Sequence, residues 1–274
     1  MVGRERSFAQ FQGSLEQGLG PLVIAPGLIL VLHINMSRKP FTDIRVRQAL
    51  MHAIDREGLR KFIGKDVTRP VVSPVPDDYL GSTKDVELYS YNLDKARQLL
   101  ERAGYPKGFE VEVQISELDD YLRPMQVLQQ MVKKVGIDLQ LKVVTHSAYH
   151  ALIRKDVNPL VIYGTSRLPV AGQMLNPFYH SKAIVGTPTA ITNFSHYSGV
   201  DKELDAATEE VNIDKKVTYW EEAQKKIMGD AAAFPLYIYM QCWVKKKWVD
   251  LGYKFESNLE YSPLLSPKTQ ILPH

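Results

Sequence analysis

Cysteine is all but absent from this chain. Cys242 is the only one in 274 residues, so no internal disulfide forms and cysteine usage leaves the redox compartment undecided. Long apolar runs are missing too. The most hydrophobic stretch, Pro21 to Ile34, is broken by Pro26 and Gly27 and is shorter than the roughly 20 residues a helical membrane span requires, so it reads as strands. Residues 1 to 18 carry Arg4 and Arg6 but no apolar core behind them, and no signal peptide is expected in this chain. Charge of one sign is scarce as well. Lys and Arg number 34 against 31 Asp and Glu, and the net charge of +3 is spread along the whole length, which excludes a concentrated footprint for nucleic acid. The densest basic run, Lys245 to Trp248, reads as a solvated strand edge where lysines oppose sheet-to-sheet aggregation. Signatures of catalysis are missing: there is no G-x-S-x-G elbow, no H-E-x-x-H, no P-loop and no G-x-G-x-x-G. Asp119 and Asp120 are adjacent at a helix entrance, where acids suit the dipole, but neighbouring side chains do not converge as a catalytic pair must. No enzymatic activity, cofactor or resident metal is expected.

What is present is an ordinary globular composition, 45% hydrophobic and 24% charged, long enough to bury a substantial core. The most informative stretch runs from Asn35 to Asp55. Pro40 ends the extended segment before it, Asp43 is placed to cap a helix, and Ile44, Val46, Leu50, Ala53 and Ile54 form a helical stripe, with Asp55 starting a second turn. Pro70, Pro74 and Pro76 forbid helix and predict an extended surface loop. Asn92 caps a helix that Gly104 stops; a strand over 109–116, a helix over 121–135 stopped by Gly136, and a strand over 137–144 follow. A short helix over 148–154 and a strand over 160–163 come next. Between Gly164 and Ser198 three prolines and three glycines leave no usable period, so an irregular and functionally loaded run is expected there. Two plain helices follow, carried by Val200, Leu204, Ala207 and Val211 and then by Val217, Trp220, Gln224 and Ile227, before a strand over 234–240. The sum is an α/β (α+β) fold with helices packed on a mixed sheet.

Four blocks carry a resemblance. They are Asn35 with Pro40 to Leu50 and Ala53 to Arg56, the run YNLDKARQLLERAGYPKGFEVEV from Tyr91, NFSHYSGVDKELDAATEE from Asn193, and YWEEAQKKIMGDAAAFPLYIY from Tyr219. Their content and order, over roughly residues 31 to 250, resemble the second lobe of the extracellular solute-binding proteins of family 5, the peptide/nickel-type binding proteins of ABC importers. The resemblance implies lobe 2 (domain III) of a type II periplasmic binding protein. It divides the chain into residues 1–30 as a tail or remnant of a first lobe, 31–242 as the solute-binding lobe, and 243–274 as a segment returning toward the first lobe. It also implies capture of a small-molecule or peptide-like solute, delivery to an ABC permease, a periplasmic or extracytoplasmic location for the full-length protein, and dependence on an N-terminal lobe not contained here. An isolated lobe would expose its inter-lobe face, which favours self-association. A sensing or chaperone-like module on the same scaffold is the alternative, with a hydrolase a distant third.

For site residues the irregular run is the place to look, because solutes in this class are held between two lobes. Many peptide-binding members put a Gly-Trp and then an aspartate after the strand equivalent to 160–163, and that carboxylate takes the peptide amino terminus. Here the text is Gly164, Thr165, Ser166, Arg167. The tryptophan has no counterpart and a cation stands near the acid's place, so an ammonium group is disfavoured and a carboxylate favoured. Thr165, Ser166 and Asn176 are candidate neutral donors, with turn chemistry as the competing role. Asn193 and Tyr197 match the family's Asn and Tyr-Ser before the next helix and are candidate solute contacts, with packing at a helix start as the alternative. Phe178 and Tyr179 read as core or as an apolar wall. His146 and His150, four apart on one helix face, are two imidazoles of chelating spacing but few for a metal. Arg45 and Arg47 read as structural ion-pair partners.

Overall fold

The computed structural model describes residues 2–5, 13, 17, 19–187, 192–253 and 266–273, with the backbone alone described for 2–5, 20–27 and 241–243. Two long strands organise it. β2 (Leu19–Ile34) and β7 (Ala233–Lys246) run antiparallel along their whole length, with register shifts between Pro21 and Val23, Pro26 and Ile29, and Leu30 and Val31. β6 (Leu160–Thr165) pairs antiparallel with the C-terminal half of β2, covering Ile29 to Ile34. On the outer edge of β7 sit β1 (Val2–Glu5), opposite residues 242–245, and the short β3 (Thr68–Arg69), opposite Ile238 and Tyr239. The aliphatic run at the end of β2 is buried on both faces, as an unbroken apolar strand in the middle of a sheet must be.

A second, parallel pair joins β4 (Phe109–Ser116) to β5 (Ile137–Val144), residue opposite residue, with the helix α4 (Asp119–Lys133) as their crossover. Gly108 at φ +77° makes this possible, because a Cβ there would fall 1.9 Å from the Gly136 carbonyl oxygen. Asn158 fastens this pair to the main sheet: its Nδ2 donates to the Gln114 carbonyl at 2.9 Å and its Oδ1 accepts from the Gln114 N–H at 3.0 Å.

The first three helices are capped by the residues the sequence singles out. α1 (Ile44–Ala53) starts at Asp43, whose carboxylate accepts from the Arg45 N–H; α2 (Arg56–Ile63) starts at Asp55 and α3 (Leu93–Arg102) at Asn92 in the same way. α5 (His146–Arg154) begins two residues before the expected helix, capped by Thr145. Tyr149 of α5 is fully buried against the sheet and its hydroxyl donates to the Ile162 carbonyl at 2.6 Å. On the other face of β2, the side chain of His33 stacks on Phe178 of α6 (Ala171–Tyr179), 5.4 Å between ring centroids. α7 (Asp201–Glu209) and α8 (Ile213–Gly229) complete that layer, and β8 (Val249–Asp250) with β9 (Gln270–Ile271) form a small separate ribbon.

The run from 164 to 198 is a correction to the sequence reading. It contains the nine-residue helix α6 and a 3-10 turn over Ser181–Ala183, and β6 extends two residues past Tyr163. The expected boundary positions 30/31 and 242/243 both fall inside the long strands β2 and β7.

Candidate functional site

Strand register defines an end of the lobe. Thr165 lies opposite Ile29, Ile29 opposite Ile238, and Ile238 opposite Arg69, so β6, β2, β7 and β3 form one row. Past that row β6 has finished, while β2 and β7 continue together toward β1. The loop after β6 emerges here and is bound by the proline-rich loop that follows β3. The Tyr79 hydroxyl donates to the Arg167 carbonyl at 2.8 Å, the Leu80 N–H to the Pro169 carbonyl at 2.9 Å, and the Ala171 N–H to the Leu80 carbonyl at 2.8 Å. Gln224 of α8 anchors the second loop by accepting from the Ser73 hydroxyl at 2.6 Å and donating to the Gly81 carbonyl at 2.7 Å. Gly81, at φ +82°, is pressed so close to the Trp220 ring that a Cβ would lie 2.5 Å from it.

The candidates divide into two groups. Thr165, Ser166 and Arg167 are consecutive at this end, Thr165 buried, Ser166 half-buried and Arg167 exposed. Among the described residues no ion pair or hydrogen bond engages the Arg167 guanidinium, in contrast to Arg69 nearby, which is neutralised by Asp77 at 3.0 Å and Asp78 at 2.9 Å. Asn176 lies nine residues on, half-buried in α6, with its Oδ1 enclosed and without a hydrogen-bond partner.

Asn193 and Tyr197 belong to the opposite end. Asn193 is fully buried: its Nδ2 donates to the His180 carbonyl at 3.0 Å and the Tyr197 carbonyl at 2.7 Å, while its Oδ1 accepts from the Ser195 hydroxyl. The Ser195 carbonyl in turn accepts from the Met36 N–H, beyond the end of β2 and some seven residues from Ile29, about 23 Å along an extended strand. Tyr197 donates to the Asp230 carboxylate at 2.5 Å, and burial, followed by that carboxylate, pushes its phenol pKa far up. Both side chains spend these polar atoms holding the loop before α7. Phe178 and Tyr179 also pack in the interior, against His33. Arg45 pairs with Asp43 as expected; Arg47 instead donates to backbone carbonyls of Phe41, Thr42 and Asp230.

The sequence reading did not find the tyrosines at this end of the sheet. The Tyr237 hydroxyl donates to that of Tyr239 at 3.0 Å, which donates to the Asp120 carbonyl at the start of α4 at 3.3 Å. Tyr121 is pushed up to about 12 by burial, and its hydroxyl is held by the Gly164 backbone. Their period-two spacing in β7 was visible, but which end of the strand meets α4 is a matter of long-range register. Among the described residues no group of three or more His, Cys, Asp or Glu side chains gathers as a metal site. No helix there is long and apolar enough to cross a membrane.

Residues 9–186 match the family of bacterial extracellular solute-binding proteins, family 5, middle region. The chain belongs to this family. Its curated relatives include a glutathione-binding protein of Pectobacterium atrosepticum, 29% identical over 77% of this chain and 42% of the relative, and the dipeptide-binding protein of Escherichia coli, 32% identical over 46% of this chain and 24% of the relative. Among solved structures, the binding protein MoaA of A. tumefaciens R10 in complex with mannopinic acid is 34% identical with a TM-score of 0.90, covering 99% of this chain and 56% of that one. A periplasmic binding protein of Helicobacter pylori in complex with the peptide STSA, 20% identical, shares the fold at a TM-score of 0.86, over 100% of this chain and 53% of that one. The chain thus spans about half the length of the family 5 proteins it matches.

Proposed function

We propose that this chain forms the second lobe of an extracytoplasmic solute-binding protein, which closes with a first lobe over a carboxylate-bearing, amino-acid-derived solute and hands it to an ABC permease. One observation carries the reading: Arg167 stands exposed, its guanidinium unengaged among the described residues, on a loop fixed by Tyr79 at the end of the lobe where β2 and β7 leave it. Strands β2 and β7 are the two crossings between lobes, and the register shift between Pro26 and Ile29 supplies a place to bend. A planar guanidinium is suited to a carboxylate, and glutathione, dipeptides and mannopinic acid all bear one. Thr165, Ser166 and Asn176 are the neutral groups proposed to assist it.

The test is titration calorimetry on the full-length, two-lobe protein. A hydrogen bond to a charged group contributes about 1.5 to 3 kcal/mol, so Arg167→Ala is expected to weaken a carboxylate-bearing solute by about 10- to 100-fold while leaving the melting temperature unchanged. Equal affinity in both proteins would remove Arg167 from the site.

A further inference from the structure

We propose that β5 is an interface for a second copy of this chain, the two strands pairing antiparallel about a two-fold axis at Gln140. β5 is the outer strand of its parallel pair: β4 lies on one side, and among the described residues no strand lies on the other. The Phe109 N–H donates to the Gly136 carbonyl and the Glu117 N–H to the Val144 carbonyl. In a parallel ladder this turns the backbone groups of Asp138, Gln140 and Lys142 toward β4 and those of Ile137, Leu139, Leu141 and Val143 outward. Among the described residues no backbone acceptor meets the outward N–H of Leu139, Leu141 or Val143. The Leu139 carbonyl accepts from Gln129 Nε2 and keeps a second lone pair for another donor. An edge in this state is a template for a further strand.

The side chains select the occupant. Set antiparallel to itself about Gln140, β5 places Asp138 opposite Lys142 of the second copy, Leu139 opposite Leu141, and Ile137 opposite Val143. The apolar pairs are the hydrogen-bonded ones, because their backbone groups face outward; Asp138 and Lys142 form a non-hydrogen-bonded pair, in which side chains come closer. Apolar thus meets apolar on the face where Ile137 and Leu139 are buried and Val143 is 53% exposed, and opposite charges meet on the other face. Asp138 lacks a cation in its own chain. It stands opposite Glu110 of β4 and accepts from Gln140 Nε2 at 3.0 Å, with no ion pair among the described residues. Lys142 is exposed, its nearest carboxylate Glu112 at 3.8 Å. Any slip of register removes the Asp138–Lys142 pairs, and a slip that sets Lys142 or Asp138 opposite itself replaces them with repulsion. Lys142, a residue type that guards edges against indiscriminate pairing, here admits one register of one partner. The interface shares no residue with the candidate solute site.

Sedimentation equilibrium on the purified 274-residue chain tests this, with circular dichroism checking that each variant is folded. A monomer–dimer equilibrium is expected. Asp138→Lys and Lys142→Asp, which each set like charges face to face, should weaken it at least tenfold, and the two exchanges combined should restore it. Disulfide trapping in a Cys242→Ser background reads the register. Gln140→Cys meets its own copy across about 4.5 Å between Cα atoms and should crosslink on oxidation. Lys142→Cys lies four residues out of step with its own copy, about 13 Å along the strand, and should not. The proposal is overturned by a monomer at every concentration, by a double exchange that fails to restore pairing, or by crosslinking that prefers Lys142→Cys. A dimer that the single reversals leave intact, as self-association through an inter-lobe face would be, overturns it equally. Arg167→Ala should dimerise as the unsubstituted chain does, which keeps this result separate from the solute reading.

Discussion

His33 sits in the interior between β2 and α6, stacked on Phe178 and edged by Phe194 at 5.6 Å, with its Nδ1 unpartnered. Protonating it would leave a cation among aromatic carbon, and burial accordingly lowers its pKa from 6.5 to about 3. In the unfolded chain the same ring takes a proton below about 6.5, so between those values the unfolded state binds more protons than the folded one. Stability from this group is complete above 6.5 and is lost as pH falls toward 3, at about 1.4 kcal/mol per pH unit inside the window. Lowering the pH from 6.5 to 5.0 should thus remove about 2 kcal/mol through His33 alone. His33→Phe keeps an aromatic ring and discards the proton. Denaturant titrations of both proteins at the two pH values should show the variant losing less stability by about that amount; parallel losses would refute the assignment.

At the scale of elements, Arg47 ties the start of α1 to the end of α8. Its guanidinium donates to the Phe41 carbonyl at 2.8 Å and, from the other side of the fork, to the Asp230 carbonyl at 2.8 Å, with burial pushing its pKa down. Lysine reaches only one of these sites and strands the others. Arg47→Lys is expected to cost about 2 to 4 kcal/mol, since hydrogen bonds to charged groups contribute about 1.5 to 3 kcal/mol each and unsatisfied buried carbonyls add to the loss. The shift should appear in the denaturant midpoint with an unchanged slope. This contact also marks the limit of what the sequence discloses. Asp43, Asp55 and Asn92 announce their helices because a cap acts on N–H groups two or three residues away. α6 was just as local in principle: Ala171, Met174, Leu175 and Phe178 are buried at helical spacing. Pro177 inside it, Gly172 near its start and a Val170 that makes no side-chain cap hid that period. The surroundings of Asn193 and Tyr197 were not legible in the sequence for another reason. Their neighbours are chosen by loop packing across 13 to 33 residues, and no local pattern specifies whether such a side chain faces a cleft or its own backbone.

For the whole molecule the argument turns on water. On the open lobe Arg167 is solvated, and a carboxylate meeting it there competes with bulk solvent, where an exposed ion pair contributes about 0 to 1 kcal/mol. Closure of a second lobe would remove that water and raise the same pair to the strength of a buried, charge-assisted contact. A solute that depends on this pair should therefore bind the 274-residue chain no better than millimolar, while the two-lobe protein reaches micromolar affinity or tighter. Small-angle scattering should show the two-lobe protein contracting on binding if, as proposed, β2 and β7 bend to bring a second surface over Arg167. Micromolar binding to the chain alone would mean that Thr165, Ser166 and Arg167 already form a complete pocket on one lobe, and the requirement for a closing partner would fall with it.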